Sequence, residues 1–144
     1  MVPYGGGADI RGASRFWCGS MGSEFVSSGL HEGWLVVRVH FPHDLTVAEQ
    51  EQAARELVAC GEAGGGRSVI VDLSEADAAY SRFLGALLTL RQQQGRGGAE
   101  VLLAAVRPLV KQTLERCALD RLFETFPTVD AAVKAALART RQAV

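Results

Sequence analysis

The stretch "VIVDLSEADAAYSRFLGALLTL", residues 69–90, holds the residue best placed to do chemistry. Ser81 falls where an apolar strand pattern gives way to a helical one. A serine before an apolar helix can cap it, its hydroxyl accepting a hydrogen bond from a first-turn N–H. A serine on the exposed end of a strand–helix loop is also within reach of a kinase. A phosphate at that point gains from the helix dipole and the free first-turn N–H groups. Arg82 follows directly and offers it a charge partner. On the residues alone, both roles stay open.

The other polar groups point less firmly to chemistry. Asp72 and Asp77 could be paired carboxylates, but Asp72 closes a strand and Asp77 lies in the loop after it. Neither has a base or nucleophile spaced near it, so no enzyme and no cofactor are expected. His31, His40 and His43 lie within thirteen positions, with Asp44 adjacent. Their spacing matches neither a helical H-x-x-x-H nor a zinc finger, so no metal is expected. "GEAGGGR" and "GRGGAE" are rich in glycine, but each follows a helix and precedes a strand. A dinucleotide fingerprint needs the opposite order, so both are expected to be plain connections. Cys18, Cys60 and Cys117 form neither a disulfide framework nor a C-x-x-C pair. They are expected to be reduced thiols in a cytoplasmic protein, with Cys60 and Cys117 each closing the apolar face of a helix. A redox pair of Cys60 with Cys117 would require the two to be close in space.

The composition is that of an ordinary globular domain: 144 residues, 48% hydrophobic, 22% charged, net charge −1. There is no basic stripe, so no nucleic-acid partner is expected. The longest apolar runs, "SVIVDL" and "VLLAAV", are far too short to cross a bilayer, and no secretory signal pattern is present. Residues 1–20 hold five of the sixteen glycines and have no period, so a flexible tail is expected there, with the folded domain over 21–144.

The elements that must position Ser81 follow from periodicity. A hairpin is expected, with a strand near 24–27, a turn through 29–33 and a return strand over 34–39. The return strand alternates Leu35, Val37 and Val39 against Trp34, Val36 and Arg38. Thr46 and Glu49 form a capping box for a helix running to about Cys60, with Ala53, Ala54, Leu57 and Val58 on its apolar face. "SVIVDL" and "EVLLAAV" are continuous apolar runs, as in parallel strands covered on both faces. Between them a helix over 81–94 puts Leu84, Leu87, Leu88 and Arg91 at helical spacing. Pro108 suits the first turn of a third helix, with Leu109, Val110, Leu114 and Cys117 inward. "RLFETF" is a short strand or turn, and a last helix starts near Thr128 with Val129, Val133, Ala136 and Leu137 inward. The order β-β-α-β-α-β-α-(β)-α predicts an α/β sandwich: a small mixed β-sheet with about four α-helices packed against it.

With these elements in order, the chain resembles the STAS domain family, the fold of anti-sigma-factor antagonists. The family's central segment reads approximately "vvlDLsgvtfiDSSGlgaLl", and this chain reads "VIVDLSEADAAYSRFLGALL" without a gap. Asp72, Leu73, Ser74, Leu84, Gly85, Ala86 and Leu87 fall on family positions. Upstream, "GWLVVRVHFPHDLTVAEQEQ" resembles the family's strand and first helix, with Asp44 on a family Asp. Downstream, residues 97–137 resemble its second half. The resemblance implies a STAS-like sandwich that regulates by binding protein. In the family the first serine of D-S-S-G is phosphorylated, and that position is Ser81. The unphosphorylated protein binds an anti-sigma factor, often a serine kinase, and so frees the sigma factor. Phosphorylation ends the binding. The implied contact surface here is Asp44, Asp77, Tyr80, Ser81, Arg82 and Phe83. Three of these depart from the family: its Asp is Tyr80, its second Ser is Arg82 and its Gly is Phe83. Near Asp44, "FPH" replaces "G-E-L". Such a loop is bulkier and less acidic, and it would also suit an unphosphorylated STAS module in a stress-signalling scaffold or lipid-transport complex.

Overall fold

The computed structural model describes residues 25–143 apart from 32, 43 and 66, without the side chains of His31 and of residues 140–143. The expected tail over 1–20, Cys18 and His43 lie outside the described residues.

Strands β1 (Val26–His31) and β2 (Trp34–Phe41) form the expected antiparallel hairpin. Its turn is tighter than the sequence suggested. Ser28 and Gly29 pair with Val37 and Val36, so β1 runs on to His31. Gly33, at φ +91°, supplies the left-handed backbone that a short turn needs. Strands β3 (Val69–Ala76), β4 (Val101–Ala104) and β5 (Glu124–Phe126) follow. The five-stranded sheet has the order β1-β2-β3-β4-β5, and every pair after the hairpin is parallel. β3 extends past Leu73 because Glu75 and Ala76 still pair with His40 and Phe41.

Four helices among the described residues cover this sheet: α1 (Val47–Ala63), α2 (Ser81–Arg96), α3 (Pro108–Arg116) and α4 (Val129–Ala143). The alternation along β2 sorts them. Leu35, Val37, Val39 and Phe41 join a core with Ala53 and Leu57 of α1, Leu87 and Leu90 of α2, and Val110 and Leu114 of α3. Trp34 and Val36 join Ile70, Leu102 and the α4 residues Ala132, Val133 and Ala136 on the other face. A strand covered on both faces must be apolar on both, hence the unbroken runs of β3 and β4. Arg139 anchors α4 to the sheet through Glu124 and through Glu100 at 2.8 Å. The hydrogen bond that Arg139 donates to the Glu124 carboxylate is the main cause that raises the Arg139 pKa above its ordinary value.

The capping box on α1 is present in full: Glu49 N–H donates to the Thr46 hydroxyl at 3.1 Å, and Thr46 N–H to the Glu49 carboxylate at 2.9 Å. The helix continues past Cys60 because Gly61 is buried against α2. A Cβ at Gly61 would lie 2.2 Å from Cδ1 of the buried Leu90. Gly61→Ala gains roughly 1 kcal/mol of helix propensity but overpacks a closed contact at a cost of about 1–3 kcal/mol. We expect a net loss near 1 kcal/mol in urea unfolding; a variant more stable than the parent would show that Leu90 has room to move.

The inward assignment on α3 is corrected in part. On α3, Leu109 and Cys117 are exposed; the short helix buries only Val110 and Leu114, one turn apart. On α2, Arg91 is exposed and donates to the Leu122 carbonyl at 3.1 Å, while Phe83, Leu90 and Gln94 join the buried face. Cys60 is buried and Cys117 exposed, and neither is in a disulfide.

Candidate functional site

In a parallel sheet, the loops that follow the strands gather at one end. Here the β2–α1 loop (residues 42–46), the β3–α2 loop (77–80) and the β4–α3 loop (105–107) meet beyond Phe41, Ala76 and Ala104. Side chains tie them together. The Tyr80 hydroxyl donates to the Pro42 carbonyl and accepts from Leu45 N–H at 3.3 Å, joining the first loop to the second. Asp77 N–H donates to the Phe41 carbonyl at 2.8 Å. The chain turns at Ala105 with φ +56°, and Arg107 then meets the Asp77 carboxylate, joining the third loop to the second.

An aromatic cluster supports the loops from below. The Tyr80 ring stands edge-on to Phe41 with centroids 5.9 Å apart, and Phe41 packs edge-on against Phe83 at 4.7 Å. Phe83 is 1% exposed, so it underlies this surface and does not present to a partner.

Ser81 is exposed at the first residue of α2. It is not the cap of that helix. Tyr80 occupies the N-cap position in extended conformation, and no side-chain bond caps the helix start. The serine is one position too far along for its hydroxyl to fold back on the first turn. Arg82 is drawn away from Ser81 to α1, where Glu51 holds it at 3.2 Å. Residues that face one another on a helix are three or four apart, so Arg82 points round the helix from Ser81. Asp44 is exposed in the first loop. Of the six positions expected at this surface, Phe83 lies beneath it, and the linkage through Tyr80, Arg107 and Glu51 was not legible in the sequence.

Behind the loops, Asp72 of β3 is 2% exposed. Its carboxylate accepts from Arg38 Nε at 3.1 Å and from Ser74 N–H at 2.9 Å. Arg38 also reaches Glu75 at 3.5 Å, and His40 Nδ1 lies 2.6 Å from the same carboxylate. These groups are accounted for by one another, and they fix the end of β3 that leads to Ser81. Among the described residues no group of His, Cys, Asp and Glu could hold a metal ion.

Among the described residues three large apolar side chains are exposed, Val47, Leu109 and Leu122, and periodicity pointed to none of them. Val47 opens α1 and is 57% exposed, and Leu109, the second residue of α3, is 61% exposed. Both helices start at the end of the sheet where α2 starts with Ser81. No local signal separated Leu109 from its neighbour Val110; the packing of α3 buries Val110 and leaves Leu109 outward.

The STAS domain family model matches residues 30–132. The chain belongs to the STAS domain family. Solved structures that it resembles include the anti-sigma-factor antagonist (STAS) domain protein of Planctomyces limnophilus, 21% identical over 76% of this chain and 96% of that one, TM-score 0.67. An anti-sigma factor antagonist from Mycobacterium paratuberculosis is 26% identical over 76% of this chain and 91% of its own, TM-score 0.57. The anti-sigma factor antagonist SpoIIAA in its unphosphorylated form is 14% identical over 78% of this chain and 96% of its own, TM-score 0.65. No curated protein sequence matches the chain. In this STAS domain no helix among the described residues is long and apolar enough to cross a membrane.

Proposed function

We propose that this STAS domain is an anti-sigma-factor antagonist that acts by partner switching with an anti-sigma factor of the serine-kinase kind, and that phosphorylation of Ser81 ends the binding. The observation that carries this reading is the exposed Ser81 at the first residue of α2, among three loops that are braced against one another. Its hydroxyl is not needed as a cap, so modification does not remove a bond that the fold uses. Three free N–H groups of the first turn and the helix dipole favour a phosphate there. The structural relative SpoIIAA, solved in its unphosphorylated form, agrees with such chemistry. The reading implies a cytoplasmic, non-enzymatic regulator whose partner is a protein.

The contact surface in this reading is Asp44, Asp77, Tyr80, Ser81 and Arg82, flanked by Val47 and Leu109. Enclosing an exposed apolar side chain in an interface removes its surface from water, which is favourable by roughly 25 cal/mol per Å². Leu109→Ala should leave the melting temperature within a degree or two. It should weaken partner binding about five- to tenfold, roughly 1–1.4 kcal/mol. Equal affinity in a titration would put Leu109 outside the interface.

The direct test is incubation of the chain with ATP and the serine-kinase anti-sigma factors of its host, followed by phosphopeptide mapping. Label on Ser81, and capture of the same kinase by the unlabelled chain, is the expected result. Capture of a large assembly with no kinase and no label would replace this reading with that of an unphosphorylated scaffold module. The Arg82–Glu51 pair favours that outcome to one degree: it occupies the cation nearest in sequence to Ser81.

A further inference from the structure

We propose that Tyr80 is a positioning residue that locks the Ser81 loop and the Asp44 loop into one body, so that a charge placed on Ser81 is felt at Asp44 and Leu45. Two bonding systems meet at this one residue. Its backbone carbonyl accepts from Leu84 N–H at 3.0 Å and so forms the first hydrogen bond of α2. Its hydroxyl holds both sides of the neighbouring loop, the Pro42 carbonyl and Leu45 N–H. The ring between them is fixed by its edge-on contact with Phe41, which rests in turn on buried Phe83. A tyrosine at this point is a rigid strut with only two side-chain torsions. Ser81 is the next residue, so any shift in its backbone on gaining charge moves the base of that strut. The strut can then carry the shift to residues 44 and 45.

The chemistry that makes the strut specific is the hydroxyl. Leu45 is buried, and the phenol oxygen is the acceptor of its N–H. The Pro42 carbonyl accepts the phenol proton. An aspartate, which the family carries at this position, would accept from an N–H but could not donate to a carbonyl when ionised. The tyrosine can do both, and it ties two points of the loop where a carboxylate would tie one.

That both loops then act on a partner rests on the function proposed above; the mechanical coupling does not. It is therefore tested on the free protein. Tyr80→Phe keeps the ring and removes only the hydroxyl. Amide hydrogen exchange followed by NMR should show the Leu45 N–H exchanging at least about tenfold faster in this variant, through local opening of the loop. The amides of Val71 and Leu87 in the core should keep their rates. Ser81→Glu should shift the Asp44 and Leu45 amide resonances in the parent chain, and that shift should be lost in the Tyr80→Phe background. Tyrosine as mere core filling would give a different pattern: Leu45 exchange unchanged, or accelerated together with Val71 and Leu87. Either result overturns the proposal, as does a Ser81→Glu shift that persists without the hydroxyl. Should the coupling hold while no kinase binds the chain, the strut stands and the partner reading falls.

Discussion

Arg38→Met should lower the stability of the domain by about 3–4 kcal/mol, because removing one partner from a buried ion pair leaves its counter-charge in low dielectric. Asp72 is the buried member, and Arg38 lies beside it in register on β2. Methionine keeps most of the apolar stem, so the loss isolates the guanidinium and not the packing. The reverse change, Asp72→Asn, should be milder. Arg38 is 26% exposed and keeps Glu75 within 3.5 Å, so its charge has water and a second carboxylate to turn to. The double variant Arg38→Met/Asp72→Leu should recover part of the loss, since two apolar groups need no pairing. Urea unfolding of the parent, these three variants and the single Asp72→Leu decides this. A loss below about 1 kcal/mol for Arg38→Met would mean that water reaches Asp72. A double variant as unstable as the sum of two independent losses would mean that the pair is not the cause. Total stability of a domain is about 5–15 kcal/mol, so the larger of these losses is enough to shift the folded population visibly on warming.

Ser81→Glu should bind the anti-sigma partner at least tenfold more weakly than the unmodified chain, and Ser81→Ala should bind like it; tenfold needs only about 1.4 kcal/mol. Two effects oppose each other when charge arrives at this residue. The start of α2 favours an anion by about 0.3–1 kcal/mol, and Ser81 is exposed, so folding is unharmed. The same charge enclosed in an interface loses its water and must find a cation there, at several kcal/mol if none is present. Arg82 is already committed to Glu51, which removes the nearest compensation and sharpens the expected loss. Phosphate itself, with about −1.5 to −2 charges, should weaken binding further than glutamate. The check is a calorimetric titration of each variant against the captured kinase, with melting curves beside it. Unchanged affinity for Ser81→Glu would remove Ser81 from the interface. A large fall in melting temperature would show that the helix start cannot carry the charge, contrary to its exposed position.

The order of elements was legible in the chain because each has a local cause. The Thr46–Glu49 capping box, Pro108 at the first turn of α3, and the unbroken apolar runs of β3 and β4 act within a few residues. The alternation of β2 even divided its side chains between two cores before either was seen. The family segment likewise carried Ser81 to its place without a gap. Where local cues were ambiguous, pairing partners far along the chain decided. Gly29 and Leu30 looked like a turn and are strand, because β2 supplies their ladder. Ser81 looked like a cap and is the first helical residue, because Tyr80 is held extended by a loop thirty-eight residues earlier. The bonds that shape the surface, Tyr80 to Pro42, Arg107 to Asp77, Arg82 to Glu51 and Arg38 to Asp72, each join residues about thirty or more apart. No periodicity encodes such pairs. They exist because a parallel sheet brings the ends of successive strands together, and only the folded sheet fixes which side chains meet there.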